Sequence, residues 1–218
     1  MEKTFEEACV YVRAIMEGRW RAAGDEEKAR ILEREKRAIM GYEEEILDYQ
    51  KTISEILREE GLGTVPCPAW YRDAAEGVFA ELYGLAGLTP WVYDATPAYR
   101  DSSSAKLIGD RLYCLIDGKS VLQPQRISRD RRAQLRRALL LSTPQERAEK
   151  GFHEIYLHNG IRVTIYAGER TKPEQDIMVF RKYLLKELTL ENLAELGTIP
   201  KEAIPLFRGM IRVGFNIL

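Results

Sequence analysis

Two tight-turn signals constrain this chain more than any other feature of its sequence. Asp117-Gly118 and Asn159-Gly160 each lie between short runs in which apolar and polar residues alternate. Asp-Gly and Asn-Gly pairs favour the left-handed backbone of two-residue β-hairpin turns, so each pair predicts two adjacent antiparallel strands. The chain from residue 102 to residue 181 is therefore expected to consist largely of antiparallel β-structure.

The predicted strands fall into two groups of three around one predicted helix. Strands are expected at 106–109, 110–117, 120–123, 154–157, 162–166 and 176–181. Ser128 is suited to cap the helix between the two groups, and Leu135 and Leu139 lie on one side of it. This order predicts an α+β fold, an antiparallel sheet with a helix packed against it.

The first 62 residues are expected to form a helical hairpin. Apolar residues recur at three- and four-residue steps along 5–20 and again along a second helix predicted over 26–60. Within the second helix, the series from Ile39 to Ile56 has heptad spacing. Two interpretations stay open: the first helix covers this seam, or the seam forms a coiled coil with another chain.

Composition excludes several classes of protein. The 218 residues include 33 Lys and Arg and 34 Asp and Glu, and 45% are hydrophobic, which suits a globular core. No apolar run approaches the roughly 18 residues that a membrane span needs, and the N-terminus lacks a signal-peptide core. Three widely spaced cysteines argue against a disulfide framework or a zinc cluster. We expect a cytoplasmic protein with no direct membrane insertion.

Groups for catalysis or metal binding are sparse. His153 and His158 lie on a predicted strand and its turn, where their side chains diverge, so no metal site is expected. Gly118-Lys119-Ser120 resembles the end of a phosphate-binding loop, but Tyr113 stands where that motif requires glycine. We therefore predict no catalytic residue and interpret Lys119 as part of a hairpin turn.

Arginines crowd the helix that follows Ser128. They are Arg129, Arg131, Arg132, Arg136 and Arg137, mostly on the side away from the leucines. One interpretation is a nucleic-acid-binding patch, and the other is a solvated or subunit-facing side of the helix. No aromatic residues interleave with these arginines as stacking on single strands requires. The second interpretation is favoured, and no nucleic-acid partner is expected.

Two further arginines lie where the predicted sheet adjoins the tail of the chain. Arg162 follows the Asn159-Gly160 turn, and Arg181 ends the last predicted strand. The planar guanidinium group presents a fork of donors that matches phosphate oxygens. Together the two residues predict a contact with an anion.

From about residue 102 to residue 218 the sequence resembles a known family. The segments that carry the resemblance are DRLY and DGK at 110–113 and 117–119, GIRVTI at 160–165, IMVFRKY at 177–183, LTLENL at 188–193, and a helix from Ile199-Pro200 leading to NIL at 216–218. Their order is similar to that in the type II and type IV secretion and pilus-assembly ATPases, most of all the CpaF-like branch. The resemblance covers about half of the chain.

The resemblance implies a hexameric ring of two-domain subunits at the cytoplasmic face of the inner membrane, where platform proteins are the partners. It divides the chain into a helical hairpin (1–62), a PAS-like α+β domain (63–186), and a linker with the first elements of a RecA-like domain (187–218). ATP with Mg²⁺ would lie between the PAS-like and RecA-like domains. Arg162 and Arg181 would contact this nucleotide, and Arg170 would also contribute to the site.

The chain departs from the family at its end. The strand at 216–218 resembles the one that leads into the Walker A loop, but the sequence stops at Leu218. Without Walker A and Walker B residues, this chain alone is expected neither to hydrolyse ATP nor to bind it tightly. It is expected to be the regulatory and oligomerisation region of such an ATPase.

A second hypothesis comes from another class of protein. The chain would be a stand-alone PAS-like sensor or adaptor without enzymatic activity, and the helix predicted over 26–60 would pair with a partner. A pocket that holds a ligand would favour this hypothesis.

Overall fold

The structure is a computed structural model, and it describes residues 3–143, 151–172, 175–184 and 189–215. The chain forms two compact units, residues 1–182 and residues 183–218. Each unit has its own architecture and is described by itself.

Seven α-helices are described in the first unit: α1 Phe5–Ala22, α2 Asp25–Ile39, α3 Glu43–Glu59, α4 Ala74–Leu82, α5 Thr89–Val92, α6 Pro97–Arg100 and α7 Arg129–Leu141. Its described strands are β1 Ser104–Ile108, β2 Arg111–Ile116, β3 Lys119–Arg126, β4 Phe152–Tyr156, β5 Arg162–Tyr166 and β6 Ile177–Arg181. Short 3₁₀ turns lie at Ala86–Leu88 and Gly168–Arg170.

The strands form one antiparallel sheet in the order β3-β2-β1-β6-β5-β4. Asp117 and Gly118 have φ of +49° and +73°, the left-handed turn that the sequence predicts between β2 and β3. β6 returns to pair with β1 and so joins the two hairpin groups into a single sheet. The α+β fold class is confirmed.

Side chains alternate along the strands, and one face of the sheet is buried. Leu107, Cys114, Val163, Ile165 and Phe180 on this face are at most 1% exposed. They share a core with residues of α5 and α7. The alternate residues are half-buried or exposed, as Tyr156 is at 56%. The period of two therefore separates a packed face from a more open one.

The helix predicted over 26–60 is wrong as a continuous element. α2 ends at Ile39 and α3 begins at Glu43, and Gly41 between them has φ of +91°. Glycine adopts this backbone at low cost, and here it closes α2, with the Tyr42 amide donating to the Arg37 carbonyl at 3.1 Å. We call residues 40–42 the α2–α3 elbow.

The predicted heptad seam is divided by this elbow. Ile39 belongs to the core of the sheet, whereas Ile46, Tyr49, Ile53 and Ile56 lie in a second core with residues of α1 and α4. Ile53 is fully buried, and Ile56 is 3% exposed. Because the chain itself covers this part of the seam, it does not form the coiled coil considered as an alternative.

The arginines of α7 also differ from the prediction. Arg132 is 4% exposed, with its Nε 3.3 Å from Asp176 and its Nη1 donating to the Ile127 carbonyl at 2.9 Å. Arg131 donates to the carbonyls of Ala80 and Gly84 at 3.2 and 2.7 Å. These two arginines therefore satisfy backbone and carboxylate oxygens inside the protein instead of forming part of a solvated helix side.

The second unit contains α8 Leu190–Glu195, a 3₁₀ turn at Lys201–Ala203 and α9 Ile204–Arg212. Thr189 caps α8 in a reciprocal capping box with Asn192. Pro205 lies in the first turn of α9, where its missing N–H costs nothing, so it marks the start of this helix and not a kink. Residues 216–218, where a strand is predicted, lie outside the described residues.

Candidate functional site

Arg162 and Arg181 are cross-strand neighbours in the sheet. Arg162 begins β5, Arg181 ends β6, and the two residues are direct partners in the antiparallel register. Side chains at such positions share one face of the sheet, with Cβ atoms about 4.5–5.5 Å apart. The structure thus brings together two of the three predicted anion-binding residues, which we call the arginine pair.

A carboxylate from the neighbouring strand compensates part of this charge. Glu154 Oε2 accepts from Nη2 of Arg162 at 2.5 Å, and Tyr156 Oη lies 3.0 Å from Glu154 Oε1. Hydrogen bonds from Arg162 and then from Tyr156 hold the pKa of the Glu154 carboxyl below its usual range. Like charges opposite each other are unfavourable. With Glu154, the group still has a net charge of +1 and so remains suited to an anion.

The side chains of Arg181 and Lys182 lie in different environments. The Arg181 side chain is exposed, and no described residue forms an ion pair or hydrogen bond with it. Lys182 is held inside, where Nζ donates to the Tyr99 and Trp91 carbonyls at 2.6 and 3.2 Å and pairs with Asp94. These contacts fix the end of β6, so the backbone at Arg181 has a defined position.

The turn that precedes Arg162 is fixed in a similar way. Gly160 has φ of +82°, and the Ile161 amide donates to the Asn159 side-chain oxygen at 3.3 Å. The His158 amide donates to the Met40 carbonyl at 2.7 Å, and its ring stacks on Tyr42 with the centroids 3.9 Å apart. The α2–α3 elbow therefore braces the turn from which Arg162 projects.

Arg170 lies away from the arginine pair. It ends the 3₁₀ turn that follows Tyr166, at the opposite end of β5 from Arg162. Four residues of strand separate Arg162 from Tyr166, about 13 Å at 3.3 Å per residue. Arg170 instead packs beside Gly151, where an added Cβ would lie 2.8 Å from Arg170 Cγ.

The other residues considered for metal or phosphate binding lie in the sheet and its turns. His153 is buried in the sheet, and Lys119 begins β3 directly after the hairpin turn. Among the described residues, no group of three or more His, Cys, Asp or Glu side chains is arranged to hold a metal ion. No helix in the described part of the chain is both long and apolar enough to cross a membrane.

Sequence reasoning missed the residues that support the arginine pair. Glu154 was identifiable, because the register of an Asn159-Gly160 hairpin places it diagonally opposite Arg162. Lys182, Tyr42 and His158 were not, since their contacts join segments that are far apart in sequence. No pattern along the chain signals such contacts.

Comparison with known proteins gives matches among solved structures alone. No family model and no curated protein matches the chain. Thirteen chains of solved structures match, among them the VirB11 ATPase from the Brucella suis type IV secretion system in complex with sulphate. The identity is 16% and the TM-score 0.42, over 58% of this chain and 42% of that chain. The chain spans less than half the length of that protein.

Proposed function

We propose that this chain is the N-terminal regulatory and oligomerisation region of a secretion or pilus-assembly ATPase. The arginine pair would contact the phosphates of ATP·Mg²⁺ bound between this region and a motor domain. The observation that carries the proposal is the direct pairing of Arg162 with Arg181 on β5 and β6. The order of the sequence segments from 110 to 218 supports it independently.

The chemical role of the pair is electrostatic. Two guanidinium groups on one sheet face offer donors to phosphate oxygens, and Glu154 holds that of Arg162 in position before an anion arrives. Because Lys182 and the 158–160 turn fix both strand ends, the pair would sense whether a nucleotide brings the motor domain close. Arg170 would contribute from a distance, through the overall positive charge.

The wider assignments belong to the same proposal. The region would assemble as a hexameric ring at the cytoplasmic face of the inner membrane and work with platform proteins there. Its parts would be the helices of 1–62, the PAS-like domain of 63–186, and the linker and first motor elements of 187–218. The membership of the CpaF-like branch is likewise proposed.

The first test concerns the gene. We expect the reading frame on the 3′ side of codon 218 to encode Gly-x-x-x-x-Gly-Lys-Thr/Ser, the phosphate-binding loop of a motor domain. A stop codon there, with no such motif in any downstream frame, would contradict the proposal and favour a stand-alone module.

The second test measures ATP hydrolysis by the protein that this reading frame encodes. We expect Arg162→Ala and Arg181→Ala each to lower kcat/KM for ATP about 10- to 100-fold, the usual effect of losing a hydrogen bond to a charged group. Arg170→Ala should cause a smaller loss. Arg137→Ala, an exposed arginine of α7, is the matched control and should leave the rate unchanged. Unchanged rates in both pair variants would remove the pair from the nucleotide site.

A sensor or adaptor is the second candidate function, without the coiled-coil helix that the sequence suggested. The observation in its favour is a large groove that is lined by α1, α2, α3 and α7. A stop codon at the end of this reading frame together with a ligand in that groove would favour this candidate.

A further inference from the structure

The helices of the first unit enclose a groove that has no part in the arginine site. Its volume is about 790 Å³, and its walls come from α1, α2, α3, α7 and the end of α4. Ile31, Ile39 and Leu82 supply apolar surface. This volume lies within the range of small-molecule sites, roughly 300–1,000 Å³.

Two stacked tyrosines form one wall of the groove. The rings of Tyr49 and Tyr83 lie with centroids 4.8 Å apart and planes inclined by 28°. Tyr49 is 4% exposed, and its ring also lies 6.3 Å from Phe79 in the helical core. Arg34 also lies over the Tyr49 ring, 5.4 Å from its centroid, so the less buried Tyr83 ring is the part of the wall that is open to a ligand.

Glu35 of α2 faces these rings with its charge uncompensated. Glu35, Tyr49 and Tyr83 line the same groove, and burial, followed by the charge of Glu35, raises the pKa of both tyrosines. No described residue donates a hydrogen bond to Glu35 or forms an ion pair with it, and burial raises its pKa. Withdrawing a carboxylate from water without a partner is unfavourable. A cation bound beside the carboxylate would offset this cost.

The other acids that line the groove have partners. Glu17 lies 3.0 Å from Arg21, and Asp48 forms an ion pair with Arg34. Glu27 lies 2.8 Å from Arg30. Among the acidic residues that line the groove, Glu35 alone therefore has no ion-pair partner in the described part of the chain.

We propose that this groove binds a small molecule through a protonated amine, held between the Glu35 carboxylate and the Tyr49–Tyr83 wall. An ammonium group is attracted both to a carboxylate and to the face of an aromatic ring. The apolar residues of the groove would cover the rest of the ligand. A small amphipathic amine is thus the chemical class.

The cations of the groove refine this class. Arg34, Arg21 and Arg131 are already engaged by Asp48, by Glu17 and by carbonyls of α4 and its end. Arg13 and Arg19, in contrast, have no ion pair with any described residue, and the charge of Arg13 acts on Tyr83. A ligand with a carboxylate beside its amine gains from Arg13, so an amino acid with an apolar side chain fits best.

Three probes that share a phenyl group test the proposal by calorimetry on the whole chain. They are 2-phenylethylamine (amine alone), L-phenylalanine (amine and carboxylate) and 3-phenylpropionate (carboxylate alone). We expect the two amines to bind at millimolar concentration or better, with L-phenylalanine the tighter, and the carboxylate not to bind. Binding of 3-phenylpropionate as tight as that of 2-phenylethylamine, or no binding of either amine, would overturn the proposal.

Variants of the chain assign the contacts. Glu35→Gln should weaken the binding of 2-phenylethylamine at least tenfold. Glu55 is an exposed acid of α3 outside the groove, so Glu55→Gln should leave this affinity unchanged. Tyr83→Phe keeps the ring and should bind within threefold of wild type. An unchanged affinity in Glu35→Gln would contradict the assigned contact.

A fourth probe distinguishes a small-molecule ligand from a side chain of a partner protein. A capped tripeptide with a central lysine carries the same cation on a peptide. We expect it to bind more weakly than L-phenylalanine, because its caps remove the free carboxylate that Arg13 would bind. Tighter binding of the tripeptide would make the occupant a protein and overturn the proposal of a small molecule.

Discussion

Three charged side chains withdrawn from water show how differently single residues are compensated. Arg132 has a carboxylate and a backbone carbonyl as partners. Arg131 has two carbonyls at the end of α4, and burial still lowers its pKa to about 10. Glu35 has no such partner in the described part of the chain. The first two are structural, whereas Glu35 costs stability and is therefore a group whose presence suggests another use.

The pKa of Glu35 predicts how stability depends on pH. Burial raises this pKa in the folded state, so the unfolded chain loses its proton first as the pH rises. Below the pKa that Glu35 has in the unfolded chain, its contribution to stability is fully present. This contribution is lost as the pH rises through the higher pKa of Glu35 in the folded protein. We expect Glu35→Gln to raise Tm relative to wild type more at pH 8 than at pH 4.

Thermal unfolding followed by circular dichroism at the two pH values measures this effect. Glu55→Gln is the control, since the same chemical change on an exposed side chain should give nearly equal shifts at both values. A Glu35→Gln shift that is larger at pH 4 would show that the carboxylate stabilises the folded protein.

At the scale of elements, one glycine decides how the N-terminal helices are arranged. The heptad spacing from Ile39 to Ile56 suits a single long helix, but Gly41 interrupts the backbone. The interruption lets α3 pack on α4 and α1 while Ile39 enters the core of the sheet. A break of three residues therefore distributes one apolar seam between two cores.

Gly41→Ala tests this arrangement. An L-residue at a φ of +91° is strained, so we expect the free energy of unfolding in urea to fall by about 1–2 kcal/mol. Space is not the cause, because the nearest atom to an added Cβ is Tyr93 Oη at 3.7 Å.

Gly18→Ala is the matched control for Gly41→Ala. Gly18 lies inside α1 with no atom within 4 Å of an added Cβ, so the same substitution should stabilise the chain by about 0.5–1 kcal/mol. If Gly41→Ala stabilised the protein as Gly18→Ala does, the helix would be continuous after all.

At the scale of the first unit, the helices and the sheet are joined at the α2–α3 elbow. Tyr42 lies between the guanidinium group of Arg37, 4.1 Å from its ring, and the His158 ring. Arg37 is in turn held by Glu45 at 2.5 Å. This contact links the helical layer to the turn that precedes Arg162. The N-terminal helices are therefore connected with the arginine pair through packed side chains.

A double-mutant cycle between Tyr42 and His158 measures this link. We expect Tyr42→Ala and His158→Ala to be coupled by about 0.5–1.5 kcal/mol in the free energy of unfolding, as stacked rings are. Tyr42→Ala combined with Phe152→Ala is the control, because Phe152 lies at the far end of β4. Additive effects in the Tyr42–His158 cycle would show that the elbow does not brace the turn.

Much of the fold was predictable from local signals. The two hairpin turns, the caps at Ser128 and Thr189 and the alternation along the strands each depend on neighbours in sequence. The break at Gly41 was harder to predict, because glycine is also tolerated inside helices and the heptad spacing continues across it. Of the candidate site, the two arginines were predicted, whereas their direct pairing required the register of β5 with β6.

What the sequence determined by itself is most of the strands, their turns and the face that they bury, since periodicity and turn chemistry act over a few residues. What only the tertiary structure decided is which distant side chains meet. Examples are β6 beside β1 and β5, Lys182 on the carbonyls of Tyr99 and Trp91, and Glu35 in one groove with two tyrosines. Such contacts depend on how the whole chain minimises exposed apolar surface and unpaired polar groups, which no local pattern encodes.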